Sequence, residues 1–198
     1  MAYTYEIHNF DSLEQEWESM LDQSSSNSVF LTPTWHKIWW RHMKSTDQEL
    51  RLIKLMDSDT ILGIAPMLKN NECITFFGST DLWDMHDFIP LEGKEEDFYR
   101  AFLHYLSVED WSEIILESVV EGSYALEYLV EMSRSAGFSV HISEEDQLMG
   151  VELPATWEDY LSNLGKKDRT ELRRKLRRLD RDTNYRVSKI DNPDEVYQ

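Results

Sequence analysis

The chain has 198 residues, 41% hydrophobic and 12% aromatic, a composition that excludes a disordered protein and allows one or two domains with a real core. Its 20 Lys and Arg stand against 38 Asp and Glu, a net charge of −18 that favours solubility and opposes non-specific binding to nucleic acid or anionic membrane. Its one cysteine, Cys73, excludes an internal disulfide and fits a reducing compartment. The start, MAYTYEIHNF, has no basic region followed by an apolar run, and no apolar run approaches the ~18–20 residues that span a bilayer. The expectation is a cytoplasmic protein with neither a nucleic-acid nor a membrane partner.

Residues 3–8 alternate and predict a strand. Asp11 is placed to cap a helix over 12–22, with Leu13, Trp17, Met20 and Leu21 on one face. QSSSNS reads as a loop. Thr32 and Pro33 predict the start of a second helix, whose aromatic face is Trp35, Trp39, Trp40 and Met43. Runs 50–56 and 61–68 flank the tetrad DSDT and predict a hairpin. Pro66 predicts a bulge or an edge position. A turn at Lys69-Asn70-Asn71 leads to a strand over 73–77, then a loop over 78–90 with a short strand near its end.

From there helix and strand alternate. Phe98, Phe102 and Leu106, four apart, predict a helix over 95–106. A strand over 111–117, a helix over 123–136 closed by Gly137, and strands over 138–142 and 148–153 follow. A short helix over 157–164 leads into a basic helix over 166–182. A strand over 185–190 and the start of a helix over 192–198 end the chain. No repeat of ~20–50 residues and no low-complexity segment is present.

Charge is distributed unevenly. Between Gly165 and Arg186 ten basic and four acidic residues give +6, whereas residues 1–164 hold nine basic and 31 acidic residues, or −22. Such asymmetry points to an anion, to an acidic surface on which the helix docks, or to a fragment of something larger.

The order strand, two helices, three antiparallel strands, helix, strand, helix, strand resembles that of the GNAT acyltransferases. FLTPTWHKIWW, GIAPMLK, FFGSTDLWDMHDFI, WSEIILESV and LPATWEDYLSNLGKKDRTELRRKLRRLDRD follow one another as in the CelD/BcsL-like branch, which is related to the Fem-type peptidoglycan aminoacyltransferases. The last of these, LP, W-x-x-Y-x-x-L and the basic helix, is the most specific. The resemblance covers essentially the whole chain. It implies an α/β fold with a mostly antiparallel central sheet flanked by helices. It also implies two GNAT-like halves, of which 1–146 would be the first and 147–198 the opening of the second. The implied reaction is acyl transfer from a CoA thioester, or from aminoacyl-tRNA in the Fem-type relatives, to an amine or hydroxyl of a small-molecule, sugar or cell-envelope acceptor. Acyl-CoA would be the donor in the intact protein, and no cofactor is expected in this chain. GNAT enzymes hold the CoA pyrophosphate with a Q/R-x-x-G-x-G/A loop, which is absent. The chain therefore reads as a part of an N-acyltransferase, not catalytic alone. The alternative is a non-catalytic GNAT-like module whose basic helix binds an acidic partner or the mate in a homodimer.

Three groups of residues are candidates for chemistry. Lys166, Lys167, Arg169, Arg173, Arg174 and Arg177 could hold phosphate or the acceptor, since arginine forks match phosphate geometry; equally, they could form a solvated face pairing with Asp168, Glu171, Asp180 and Asp182. Asp81, Asp84, His86 and Asp87 form the most polar constellation outside that helix, with Asp84, His86 and Asp87 as candidate base or substrate contacts. Their spacing offers no complete metal site. Trp35, Trp39 and Trp83 could line a cleft and stack on a sugar ring, or fill the core. His36 and His42, six apart, read as surface or packing residues.

Overall fold

The computed structural model describes residues 2–78, 82–147, 149–182, 184–186 and 188. β1 (Tyr3–His8) lies antiparallel to β2 (Gln48–Asp57), and β2 lies antiparallel to β3 (Thr60–Asn70). The β2–β3 turn is tight: Asp57 pairs with Thr60, and Ser58 takes a φ of 54°. A positive φ in a two-residue connection suits the twist of the strands it joins.

A bulge interrupts this ladder between Leu55 and Met56, where β3 carries Leu62 as an extra residue. Pro66 is not at the bulge; it pairs regularly with Leu52 on one side and, within a central strand, holds the expected edge position on the other. β3 meets β4 (Cys73–Thr75) at 68–70 and β5 (Ile89–Pro90) at 63–64. Among the described residues, 65–67 have no ladder partner on that second side, so the missing N–H of Pro66 breaks no bond there.

β6 (Glu113–Ile115) closes the described sheet by pairing parallel to β4. The spatial order is β1-β2-β3-β4-β6, with β5 beside β3. The molecule is therefore of mixed α/β class, with a six-stranded, mostly antiparallel open sheet flanked by helices.

Alternation along β2 and β3 sends side chains to two cores. Leu52, Ile64 and Leu68 meet α1 (Phe10–Leu21) through Phe10, Leu13, Trp17, Met20 and Leu21. The cap of α1 is Asn9, not Asp11: the Asn9 side chain accepts from Ser12 N at 3.0 Å and Ser12 Oγ accepts from Asn9 N at 3.3 Å. This reciprocal box needs a residue in extended conformation, as Asn9 is, and leaves Asp11 in the first turn, where a carboxylate suits the dipole. A 3-10 turn (Val29–Leu31) precedes α2 (Pro33–Met43). Thr32 caps α2 by accepting from Trp35 N at 3.3 Å, and Pro33 stands in its first turn.

On the opposite face Ile53, Leu55, Met67 and Ile74 pack with Phe98, Tyr99, Phe102, Tyr105 and Leu106 of α3 (Glu95–Val108). Each such side chain, fully buried, contributes about 1.5–3 kcal/mol. Beyond β6 the expected regular helix over 123–136 begins instead as a π turn (Ala125–Leu129) and continues as α4 (Val130–Ser135). Tyr128 stacks on Tyr99 (6.2 Å) and on Tyr124 (6.0 Å). Gly137, at φ 91°, ends α4 as expected: Gly137 N donates to Arg134 O and Phe138 N to Ser133 O.

The expected strands over 138–142 and 148–153 do not form in the described residues. Ile142, Met149, Val151 and Leu153 are 54–93% exposed. Alternation makes a strand only where a neighbour completes the ladder and covers one face. β6 is likewise shorter than 111–117, and β4 shorter than 73–77. Of 185–190, the described residues are in no strand, and the rest, with 192–198, lies outside the described residues.

The chain divides into two compact units, Met1–Leu148 and Met149–Gln198. The second contains α5 (Trp157–Asn163), capped by Thr156, and α6 (Lys166–Asp182), whose bounds are those expected from its sequence. Among the described residues no helix is long and apolar enough to cross a membrane.

Candidate functional site

The parallel pair β4–β6 holds for three residues and stops at Thr75 and Ile115. The two chains run on, and their carbonyls need other partners. His86 supplies them. Its Nε2 lies 2.7 Å from Phe77 O and its Nδ1 3.0 Å from Glu117 O, while its backbone N–H donates to Ser118 O at 3.0 Å. The ring is sandwiched between Phe76 (centroids 5.2 Å, planes 14° apart) and Trp83 (5.3 Å, 21°). His86 is 3% exposed.

This environment fixes what His86 can do. Burial pushes its pKa below the ordinary histidine value, and the two carbonyls and Glu145 offset part of that. A neutral imidazole has one N–H, which it donates to one of the two carbonyls. Both nitrogens face backbone oxygen, so neither is open to a substrate: the ring bonds one chain through its N–H, and its backbone N–H ties it to Ser118 O. The functional candidates around it diverge. Asp84 is exposed. Asp87 is half-buried; its Oδ2 accepts from Ser26 Oγ and its Oδ1 from Phe88 N, both at 2.8 Å. Burial raises the Asp87 carboxyl pKa and these two bonds lower it, with a net rise. Asp81 lies outside the described residues. Among the described residues no group of three His, Cys, Asp or Glu could hold a metal ion.

The three candidate cleft tryptophans meet, but not as a cleft. Trp83 is fully buried and donates from Nε1 to Phe30 O at 3.0 Å. Trp35 and Trp39 pack edge-on against it at 6.0 and 6.1 Å. Of the three, Trp35 alone is among the exposed large side chains, at 36%. Gly78 serves the same cluster: it takes a φ of 75°, and a Cβ there would collide with the Trp83 ring. The glycine of FFGSTDLWD thus makes room for an indole.

His36, which the sequence leaves open as a surface or packing residue, is a packing residue. It is 2% exposed, its Nδ1 is 3.0 Å from Thr32 O, and its ring meets Trp17, Phe77 and Trp83 at 4.7–5.3 Å. Burial holds its pKa down at about 3. Nothing in the sequence marks Tyr99, whose hydroxyl is buried with no hydrogen-bond partner among the described residues and is pushed toward the neutral form by burial and by Asp87 and Glu95. Neither had a local signal, since both burials arise from distant elements.

A second candidate surface is α6. Arg174 pairs with Glu171 through two bonds of 2.7 and 2.9 Å, and Lys175 reaches the same carboxylate at 4.0 Å. Arg169 turns back to the carbonyls of Leu161 (3.4 Å) and Ser162 (3.3 Å), where cations suit the end of α5. Lys166, Lys167 and Arg173 form no ion pair among the described residues, and all three are exposed. Leu176 and Leu179 are 37% and 42% exposed, so the helix shows an apolar seam beside its charges.

Elsewhere, a groove of about 610 Å³ runs between β1, α3 and α4, lined in part by Tyr3, Leu103, His104 and Met132. Its charges are neutralised at short range: Arg100 pairs with Glu96 at 2.6 Å and Glu131 with Arg134 at 2.8 Å. No protein-family model matches the chain, and no curated protein matches it.

Proposed function

We propose that the chain is a part of a GNAT-type N-acyltransferase of the CelD/BcsL-like kind, one that does not hold the acyl donor by itself. The observation that carries this reading is the sheet. Strand, two helices and an antiparallel run lead through α3 to a strand paired parallel to β4, and the spatial order β1-β2-β3-β4-β6 follows chain order. The fold alone does not assign chemistry, so the reading also rests on the motifs described above.

In such a transfer the acceptor's amine or hydroxyl attacks the thioester carbonyl, CoA leaves as thiolate, and the acceptor's proton passes to a base. Donors aimed at the developing oxyanion and correct positioning lower the barrier. A CoA pyrophosphate would need convergent backbone N–H groups. Here Gly78, the glycine of FFGSTDLWD, is packed against Trp83, and the acidic residues of that segment would repel phosphate. The body accordingly contributes framework, and the acceptor side is served by exposed groups such as Asp84 and Trp35.

Titration calorimetry with acetyl-CoA tests the division of labour. This chain alone is expected to show no micromolar binding, and a longer product of the same gene carrying a second GNAT-like half is expected to bind and to release free CoA thiol with an amine or sugar acceptor. Micromolar binding by the 198 residues alone contradicts the division. Absence of thiol release from the longer product across both acceptor classes contradicts acyl transfer.

A further inference from the structure

We propose that α6 is a docking helix for a second copy of this chain, which it meets at the acidic and aromatic surface formed by the start of α3 and the π turn.

Consider the helix first. With 100° per residue, Leu172, Leu176 and Leu179 form one seam, flanked on one side by Lys166, Arg169, Arg173 and Arg177. The seam is half open to solvent, and Lys166 and Arg173 find no carboxylate among the described residues. A solvated helix needs no exposed leucines; a docking helix does. The seam is also too narrow for a membrane surface, which rewards a broad apolar face.

The receiving surface belongs to the first unit. Glu95 and Glu96 stand in the first turn of α3, and exposed Glu127 precedes Tyr128 on the π turn, where Tyr128 stacks on Tyr99 of α3 at 6.2 Å. Glu127, burial, Glu96 and Glu95 together raise the Tyr128 pKa. Tyr124 stacks beside Tyr128, and both rings are half-buried. Glu96 is shared with Arg100, while Glu127 has no ion pair among the described residues. Tyrosine faces with carboxylates at their rim suit arginine, which can stack and pair at once. They also offer apolar area to a leucine seam.

The charges decide the occupant. A polyanion would meet the −22 of residues 1–164 along with the +6 of the helix segment. A second copy brings the opposite sign to each surface. Two such contacts form an isologous dimer, each helix seated on its partner's body. A helix of 17 residues is about 25 Å long and ~10 Å wide. Two helices would bury on the order of 1,000 Å² in total, the lower limit for a specific, reversible interface. Salt should then act in two directions. At about 0.01 M the Debye length is ~30 Å and the two −18 chains repel as wholes. Near 0.1 M it is ~10 Å, so bulk repulsion is screened and the local contact survives; near 1 M, at ~3 Å, the contact is screened as well.

The test is sedimentation equilibrium of the full chain at these three ionic strengths, alone and with two variants. Expected is a reversible dimer, strongest near 0.1 M. R173E/R177E and E96R/E127R should each weaken it at least about tenfold. Their equimolar mixture should restore it, because the mixed dimer pairs reversed helix with reversed surface and native with native. A thermal melt within a few degrees of the parent confirms that each variant folds. A monomer at all three salts overturns the proposal. So does a dimer indifferent to both variants, a mixture that stays monomeric, or tight binding of the monomer to duplex DNA or phosphatidylserine vesicles. Should one variant fail to fold, the salt profile of the unaltered chain still decides: association rising steadily toward 1 M salt would mark apolar contact elsewhere and overturn it.

Discussion

Trp83 and Trp157 show how differently the two units are made. Trp83 is fully buried, bonded to Phe30 O, and ringed by Trp35, His36, Trp39 and His86. Trp157 is 48% exposed and, among the described residues, stacks only on Tyr160 of its own helix, at 5.3 Å. The same residue type is a keystone in one unit and a surface group in the other. In the first unit helices exist because they cover a sheet. In the second, α5 and α6 rest on local devices: a Thr156 cap, an i,i+3 pair at Glu171 and Arg174, and the high helix propensity of Lys, Arg, Glu and Leu. Substitutions should therefore differ in cost by severalfold between the units.

The largest effect is expected at Trp83. Trp83→Ala removes a buried indole and its bond to Phe30 O, at a cost of ~3–5 kcal/mol. Trp157→Ala should cost under ~0.5 kcal/mol. Urea unfolding followed by far-UV circular dichroism gives both values; comparable costs would erase the contrast between the units.

Next comes the His86 clasp. His86→Ala takes the ring donor from one of Phe77 O and Glu117 O and empties the space between Phe76 and Trp83 in a dry site, which should cost roughly 2–4 kcal/mol. Loss confined to packing would leave the backbone protected. Loss of the clasp would speed hydrogen exchange at the residue 86 amide, which is bonded to Ser118 O, well before global unfolding.

His36 sharpens the comparison through pH. Burial depresses its pKa to about 3, so it is neutral in the fold while the unfolded chain takes up a proton below about 6.5. Its stabilising contribution is present above pH 6.5 and is lost as pH falls toward 3. Between pH 6 and 4.5 the loss is about 2 kcal/mol. Asp87 works the other way, since its raised carboxyl pKa adds stability as pH falls. The difference between the parent chain and His36→Phe, measured by urea at each pH, isolates the histidine. An unchanged pH slope in the variant would show that His36 is not buried neutral.

What could be read in the sequence was what neighbours in sequence decide. Thr32 and Pro33 mark the start of α2, DSDT marks the β2–β3 turn, Gly137 marks the end of α4, and the basic run marks α6. Each depends on a cap, a turn or a periodicity within a few residues. Elements that depend on a partner were misread. Residues 138–142 and 148–153 alternate like strands, yet those of them that are described have no sheet neighbour among the described residues. The site shows the same division. DLWDMHD stood out as polar, but the role of His86 follows from Phe77 and Glu117, nine and 31 residues away, and no local pattern encodes such a meeting.

The smallest expected effect bears on α6. By helical angle Arg174 lies away from the leucine seam and spends its guanidinium on Glu171, whereas Arg173 flanks the seam. Arg174→Ala should change stability by under ~0.5 kcal/mol, the usual size of an exposed i,i+3 pair, and leave self-association unaltered. Arg173→Ala should be equally silent in urea yet weaken the dimer at 0.1 M salt. Equal weakening by both would mean that α6 acts as a diffuse cloud of charge, with no oriented face. Destabilisation by either, on the scale of the Trp83 change, would mean that α6 is fastened by burial after all, and that the two units are built alike.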